Sequence, residues 1–112
     1  MDEFVYLYRR PLHSRTAQEM QEALEKYQTW FNDLEARGRV VQYGQPLDPK
    51  AGRLVKDRDG SISDGPYAET KDIVVGFSII RAENIDEAAA LAQSCPILEQ
   101  GGMIEIRPVL KF

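Results

Sequence analysis

One cysteine, one histidine and one tryptophan occur in 112 residues. With Cys95 alone no intrachain disulfide can form, which points to a reducing, cytoplasmic setting. One His and one Cys cannot build a structural zinc site, and the carboxylates lack ligand spacing, so no metal is expected. Basic charge is also short: 14 Lys and Arg against 18 Asp and Glu leave a net charge of −4. Nucleic-acid binders usually carry a basic footprint, so nucleic acid is not an expected partner. No apolar run approaches the ~20 residues needed to span a bilayer, and the start, with Asp2 and Glu3 ahead of its apolar run, does not read as a signal peptide; no membrane partner is expected. The serines lack a Gly-x-Ser-x-Gly turn, and no Gly-rich phosphate loop is present, so neither a serine hydrolase nor a nucleotide cofactor is expected.

What is present reads as one domain over residues 1–112, with 43% apolar and 29% charged residues. Phe4 to Tyr8 is a run of strand formers, and Pro11 ends it, giving a strand at about 2–9. Thr16-x-x-Glu19 is a capping box. Behind it Met20, Leu24, Tyr27, Phe31 and Leu34 recur at spacings of four and three, and Gly38 suits the position beyond a helix end, so a helix is expected at 17–37. Residues 40–44 read as a second strand. Residues 53–56 and 61–63 flank Asp59-Gly60 as a small hairpin. A third strand follows at about 73–81, then an Ala-rich helix from Asn84 to near Cys95, where Pro96 stops it. The last strand, 103–109, alternates Ile104 and Ile106 with Glu105 and Arg107.

The order is βαββαβ with an extra small hairpin, an α+β, ferredoxin-like arrangement with both helices on one sheet face. Phe4, Tyr6 and Tyr8 occupy one face of the first strand, Val5 and Leu7 the other. A second apolar sheet face left open would be a large exposed patch, so a homodimer packed sheet to sheet about a two-fold axis is expected.

The chemistry-bearing segment is Asp64-Gly65-Pro66-Tyr67-Ala68-Glu69-Thr70-Lys71-Asp72, a polar, turn-rich stretch that enters an apolar strand. Asp64 before Gly-Pro is good turn chemistry and also a candidate base. Glu69 and Lys71, two apart, share a face in extended chain and either pair with each other or hold a polar substrate; Tyr67 adds a phenol. His13 is the natural general base by pKa. Trp30, off the main seam of the first helix, is a candidate pocket wall, whereas a helical aromatic stripe such as Tyr27, Trp30 and Phe31 is more often core.

The nine residues from Asp64 to Asp72 resemble the signature of the DGPF proteins, a branch of the YCII-related family, with Tyr67 where that branch usually has Phe and Asp72 where it has Glu. The Tyr27-to-Gly38 helix, the Asn84-to-Pro96 segment and the closing Gly102-to-Val109 run are similar too. The resemblance implies a dimeric α/β barrel, a cytoplasmic bacterial protein, and enzymatic chemistry through a His–Asp pair in the wider family. That family's histidine falls near Tyr27, counting back from Gly38, and His13 lies earlier. The resulting expectation is a homodimer that binds a small molecule, with proton-transfer or lyase-type chemistry. Asp64, His13 and Tyr27 would be the catalytic groups, and Tyr67, Glu69, Lys71 and Trp30 would bind the substrate. The alternative is a non-enzymatic binding or regulatory module, with a partner linked to extracytoplasmic-function sigma factors.

Overall fold

The alternation in the first strand sets the architecture. In a computed structural model of the protein, residues 1–12, 14–56, 58, 60–66 and 72–112 are described. Strand β1, Asp2–Pro11, buries Phe4, Tyr6 and Tyr8 on one face and leaves Val5 and Leu7 half-buried on the other. It lies inside a four-stranded sheet of order β2-β5-β1-β6, with β2 at Val40–Pro46, β5 at Asp72–Ala82 and β6 at Met103–Pro108. Every pairing in that sheet is antiparallel.

Helix α1, Ala17–Ala36, and helix α2, Ile85–Ala92, both cover the Phe4-Tyr6-Tyr8 face: Trp30 and Leu34 from α1 and Ala88, Leu91 and Ala92 from α2 join one core with those three rings. The chain measures only 20 Å along its shortest axis. That thickness matches one sheet and one helix layer, which pack about 10 Å apart. The mixed α+β organisation expected from the sequence is therefore present. Among the described residues no helix is long and apolar enough to cross a membrane.

Local chemistry explains the helix starts. The Thr16 hydroxyl accepts from Glu19 N–H at 3.1 Å and the Glu19 carboxylate accepts from Thr16 N–H at 3.1 Å, closing the capping box. The Asn84 side-chain oxygen accepts from Glu87 N–H at 2.9 Å and caps α2. That helix ends at Ala92, before the expected limit, and Pro96 opens a 3₁₀ turn over Pro96–Gln100.

The buried stripe of α1 corrects one expectation. Met20 and Leu24 are 53% and 59% exposed, while Ala23, Trp30 and Leu34 are buried and Tyr27 and Phe31 half-buried. The seam runs through 23, 27, 30 and 34, which also follows spacings of four and three. The two stripes sit side by side on a broad apolar surface, so periodicity alone does not choose between them. Trp30 decides the rotation. Its ring stacks on Tyr6 at 6.3 Å between centroids, and its N–H finds the Ser94 hydroxyl at 3.1 Å, so the largest side chain of the helix is buried with its polar atom satisfied.

The register shows what the other sheet face carries. Val5 lies opposite Ile79 and Leu7 opposite Phe77, all four half-buried, with Glu105 and Arg107 as their neighbours on β6. The bulge between Tyr8 and Arg9 leaves Val75 without a partner on β1. Between β2 and β5 the register slips around Gly44, whose φ of 75° only glycine tolerates easily. The expected small hairpin is present as β3, Arg53–Val55, and β4, Ile62–Asp64, a separate two-stranded ribbon with Val55 and Ile62 exposed. Gly60 has φ 91°, and Asp59 lies outside the described residues.

Candidate functional site

The antiparallel registers bring four strand ends to one end of the sheet. Pro11 pairs with Asp72, Pro46 with Gly76, and Arg9 with Met103. The link from β1 into α1 starts here, as does the segment that carries Asp64 from β2 to β5.

Arg10 ends the helix-facing row of β1. It follows Phe4, Tyr6 and Tyr8 at alternate positions and lies opposite Ile73, a buried residue, across the ladder. Next to this row stands Tyr27 of α1, whose ring meets Tyr8 edge-on at 6.4 Å. Arg15, just ahead of the capping box, donates to the side-chain oxygen of Gln100 from the 3₁₀ turn.

Hydrogen bonding separates Tyr27 from the other tyrosines. The Tyr6 hydroxyl donates to the Ala88 carbonyl. The Tyr8 hydroxyl donates to Ser78 Oγ at 2.9 Å, and Ser78 in turn donates to the Tyr43 carbonyl at 2.7 Å. The Tyr43 hydroxyl donates to the Glu35 carboxylate. Among the described residues nothing hydrogen-bonds to the Tyr27 hydroxyl. Burial holds its proton well above the ordinary phenol range, reinforced by the Cys95 thiol and opposed by the guanidinium charges of Arg15 and Arg10. At neutral pH Tyr27 is thus a protonated donor beside two cations.

Arg10 is perturbed in the opposite sense. Burial, and then repulsion from Arg15, lower its pKa, with Tyr27 opposing. It donates to the Pro11 carbonyl at 3.3 Å. Arg9, Arg37, Arg39, Arg53 and Arg107 each have a carboxylate within ion-pair reach. Arg10 has none among the described residues. On the Arg15 side, a groove of about 310 Å³ runs between α1 and the 3₁₀ turn, lined by Arg15, Glu19, Ala23, Lys26, Glu99 and Gln100. Lys26 and Glu99 pair across it at 3.1 Å. Cys95 lies buried in the core, its thiol pushed up to about 12 by burial.

The family model for the YCII-related domain matches residues 1–112. The chain belongs to the YCII-related family. Its antiparallel sheet with two helices on one face agrees with a ferredoxin-like form of that domain. Comparison with curated proteins finds no match.

Within this YCII-related domain the candidate residues are not gathered at one point. Tyr27 reaches the β1 end, and its hydroxyl is uncommitted among the described residues. Asp64 closes β4 with its side chain 93% exposed, 3.6 Å from the Arg53 guanidinium, while Gly65 N–H bonds the Gly52 carbonyl at 3.1 Å. Trp30 is 7% exposed and packed among core rings rather than at a cavity mouth. His13, Tyr67, Glu69 and Lys71 lie outside the described residues. Among the described residues no three His, Cys, Asp or Glu side chains group as a metal site.

Arg10 was not a candidate from sequence, although its signal was there: a period-two row of three aromatics that ends in a guanidinium. Arg15 carried less signal, because a cation before a helix is common on protein surfaces.

Proposed function

We propose that this YCII-related domain is of the DGPF branch, acts as a homodimer, and binds a small molecule at the β1 end of the sheet, where Tyr27 donates a proton during proton-transfer or lyase-type chemistry. The observation that carries the reading is the half-buried Tyr27 hydroxyl, uncommitted among the described residues. A phenol that keeps its proton at pH 7 can donate a hydrogen bond to a developing negative charge on a bound ligand. Asp64 is assigned as base or orienter, and Lys71 as electrostatic anchor, from their place in the segment that feeds β5. The unbroken Asp64-to-Asp72 run supports the DGPF branch. The buried free thiol of Cys95 suits a reducing cytoplasm.

The half-buried Val5, Leu7, Phe77 and Ile79 support the dimer, since a second copy covering this sheet face would complete their burial and close the α/β barrel. Sedimentation velocity checks this point. The wild type should run as a dimer at micromolar concentration, and Leu7→Glu with Phe77→Glu should run as a folded monomer. A wild-type monomer overturns the dimer.

The activity is tested with ligands selected by thermal shift from a set of small cyclic and carbonyl compounds. Each hit is incubated in D₂O, and solvent deuterium entering a carbon position is followed by proton NMR. Tyr27→Phe should weaken binding by no more than about tenfold and slow exchange by roughly 10²- to 10⁴-fold. Equal exchange in wild type and Tyr27→Phe removes the tyrosine from the chemistry.

A further inference from the structure

We infer that the group bound at the β1 end is a small oxyanion, a carboxylate or a phosphate, gripped by Arg10, flanked by Arg15 and hydrogen-bonded by the Tyr27 hydroxyl. This rests on the binding site proposed above and names its ligand class.

Three observations converge on it. Arg10 is half-buried on the helix-facing side of the sheet and has no carboxylate partner among the described residues. A second guanidinium, that of Arg15, is close enough to oppose its charge. Two like charges at a partly desolvated site repel each other more strongly than in water, and an anion between them relieves that repulsion. Finally, Arg10 sits two residues past Tyr8 on one strand face, so the ring that touches Tyr8 stands beside it. The only described tyrosine hydroxyl without a hydrogen bond is therefore next to the described half-buried arginine without an acid. A planar guanidinium fork and one O–H donor match two oxygens of a carboxylate or phosphate.

The nearby acids limit the ligand rather than compete for Arg10. Glu99 pairs with Lys26, Glu22 accepts from Gln18 at 3.2 Å, and Glu19 caps Thr16. The adjoining groove carries these three carboxylates against Arg15 and Lys26, a small negative balance that disfavours an extended polyanion there and leaves a compact oxyanion.

The test is ¹H–¹⁵N NMR of the full chain, following the Arg10 Nε–Hε signal and the Tyr27 amide. The probes are acetate, benzoate, inorganic phosphate and neutral benzamide. At least one oxyanion should shift both signals saturably; benzoate or acetate alone assigns a carboxylate, phosphate alone a phosphate. Arg10→Gln should weaken that binding about tenfold or more, Arg10→Lys less, and Arg107→Gln not at all. Circular dichroism confirms that each variant is folded. If benzamide shifts the signals as benzoate does, the anion assignment falls and the small-molecule site stands. If no probe moves Arg10, or Arg10→Gln binds as wild type does, the inference is overturned whatever the deuterium-exchange result.

Discussion

Removing one buried hydroxyl should reach the candidate site through two contacts. Ser78 on β5 is fully buried, accepts from Tyr8 and donates to the Tyr43 carbonyl. That carbonyl lies where the β2–β5 register slips, between the Gln42 and Gln45 pairings, so Ser78 supplies what the ladder does not. Ser78→Ala orphans a buried phenol and leaves the carbonyl short of a donor. An orphaned buried polar group costs about 1–3 kcal/mol, so the loss should be about 2–4 kcal/mol. Near Tm the unfolding entropy of a chain this size is about 0.24 kcal/mol/K, which converts the loss into a fall of roughly 8–16 °C. Tyr8→Phe alone removes only the donor and should cost about 1 kcal/mol, because Ser78 keeps its bond to Tyr43. With Phe at position 8, Ser78→Ala no longer strands a phenol, so the double variant should be more stable than additivity predicts, by about 1 kcal/mol or more. Urea denaturation at one fixed protein concentration gives the four values. The Tyr27 ring resonances should broaden or shift in Ser78→Ala, because its neighbour Tyr8 loses its anchor. A loss below about 0.5 kcal/mol for Ser78→Ala, or strict additivity, refutes the argument.

Two glycines with similar φ should respond differently to alanine. At Gly44 a Cβ would overlap the Phe77 carbonyl, so Gly44→Ala should lose more than about 2 kcal/mol, whereas Gly38, with φ 70° and open space around it, should lose only about 1 kcal/mol; equal losses in denaturation curves remove the steric argument. The Cys95 thiol, raised from 9.0 to about 12 by burial, binds its proton more tightly folded than unfolded. Its contribution to stability is therefore complete below about pH 9 and is lost as pH rises from there toward 12. The urea midpoint should fall between pH 8 and 9.8 in the wild type and fall less in Cys95→Ala, and a thiol reagent at pH 8 should label Cys95 only after unfolding; rapid labelling of the folded protein contradicts this.

Short-range chemistry is readable from the amino-acid sequence alone. Thr16 with Glu19 and Asn84 with Glu87 start their helices because the bonds they make close within three residues. The two faces of β1 were readable because strand side chains alternate strictly. The order of elements then left few ways to build the sheet. The Asp64-to-Asp72 segment marked the family for the same reason: it is a contiguous pattern, and contiguity survives without a fold. Tertiary structure decided the rest. Trp30 went into the core, and Met20 and Leu24 to the surface, because two neighbouring stripes of α1 have equal spacing and only the match to Tyr6 and Ser94 separates them. The nearness of Arg10 to Tyr27 was invisible for a similar reason. It depends on where β1 ends against β5 and how α1 rolls over it, and on a deficit among the described residues, a guanidinium without an acid beside a phenol without a partner, that no local pattern records.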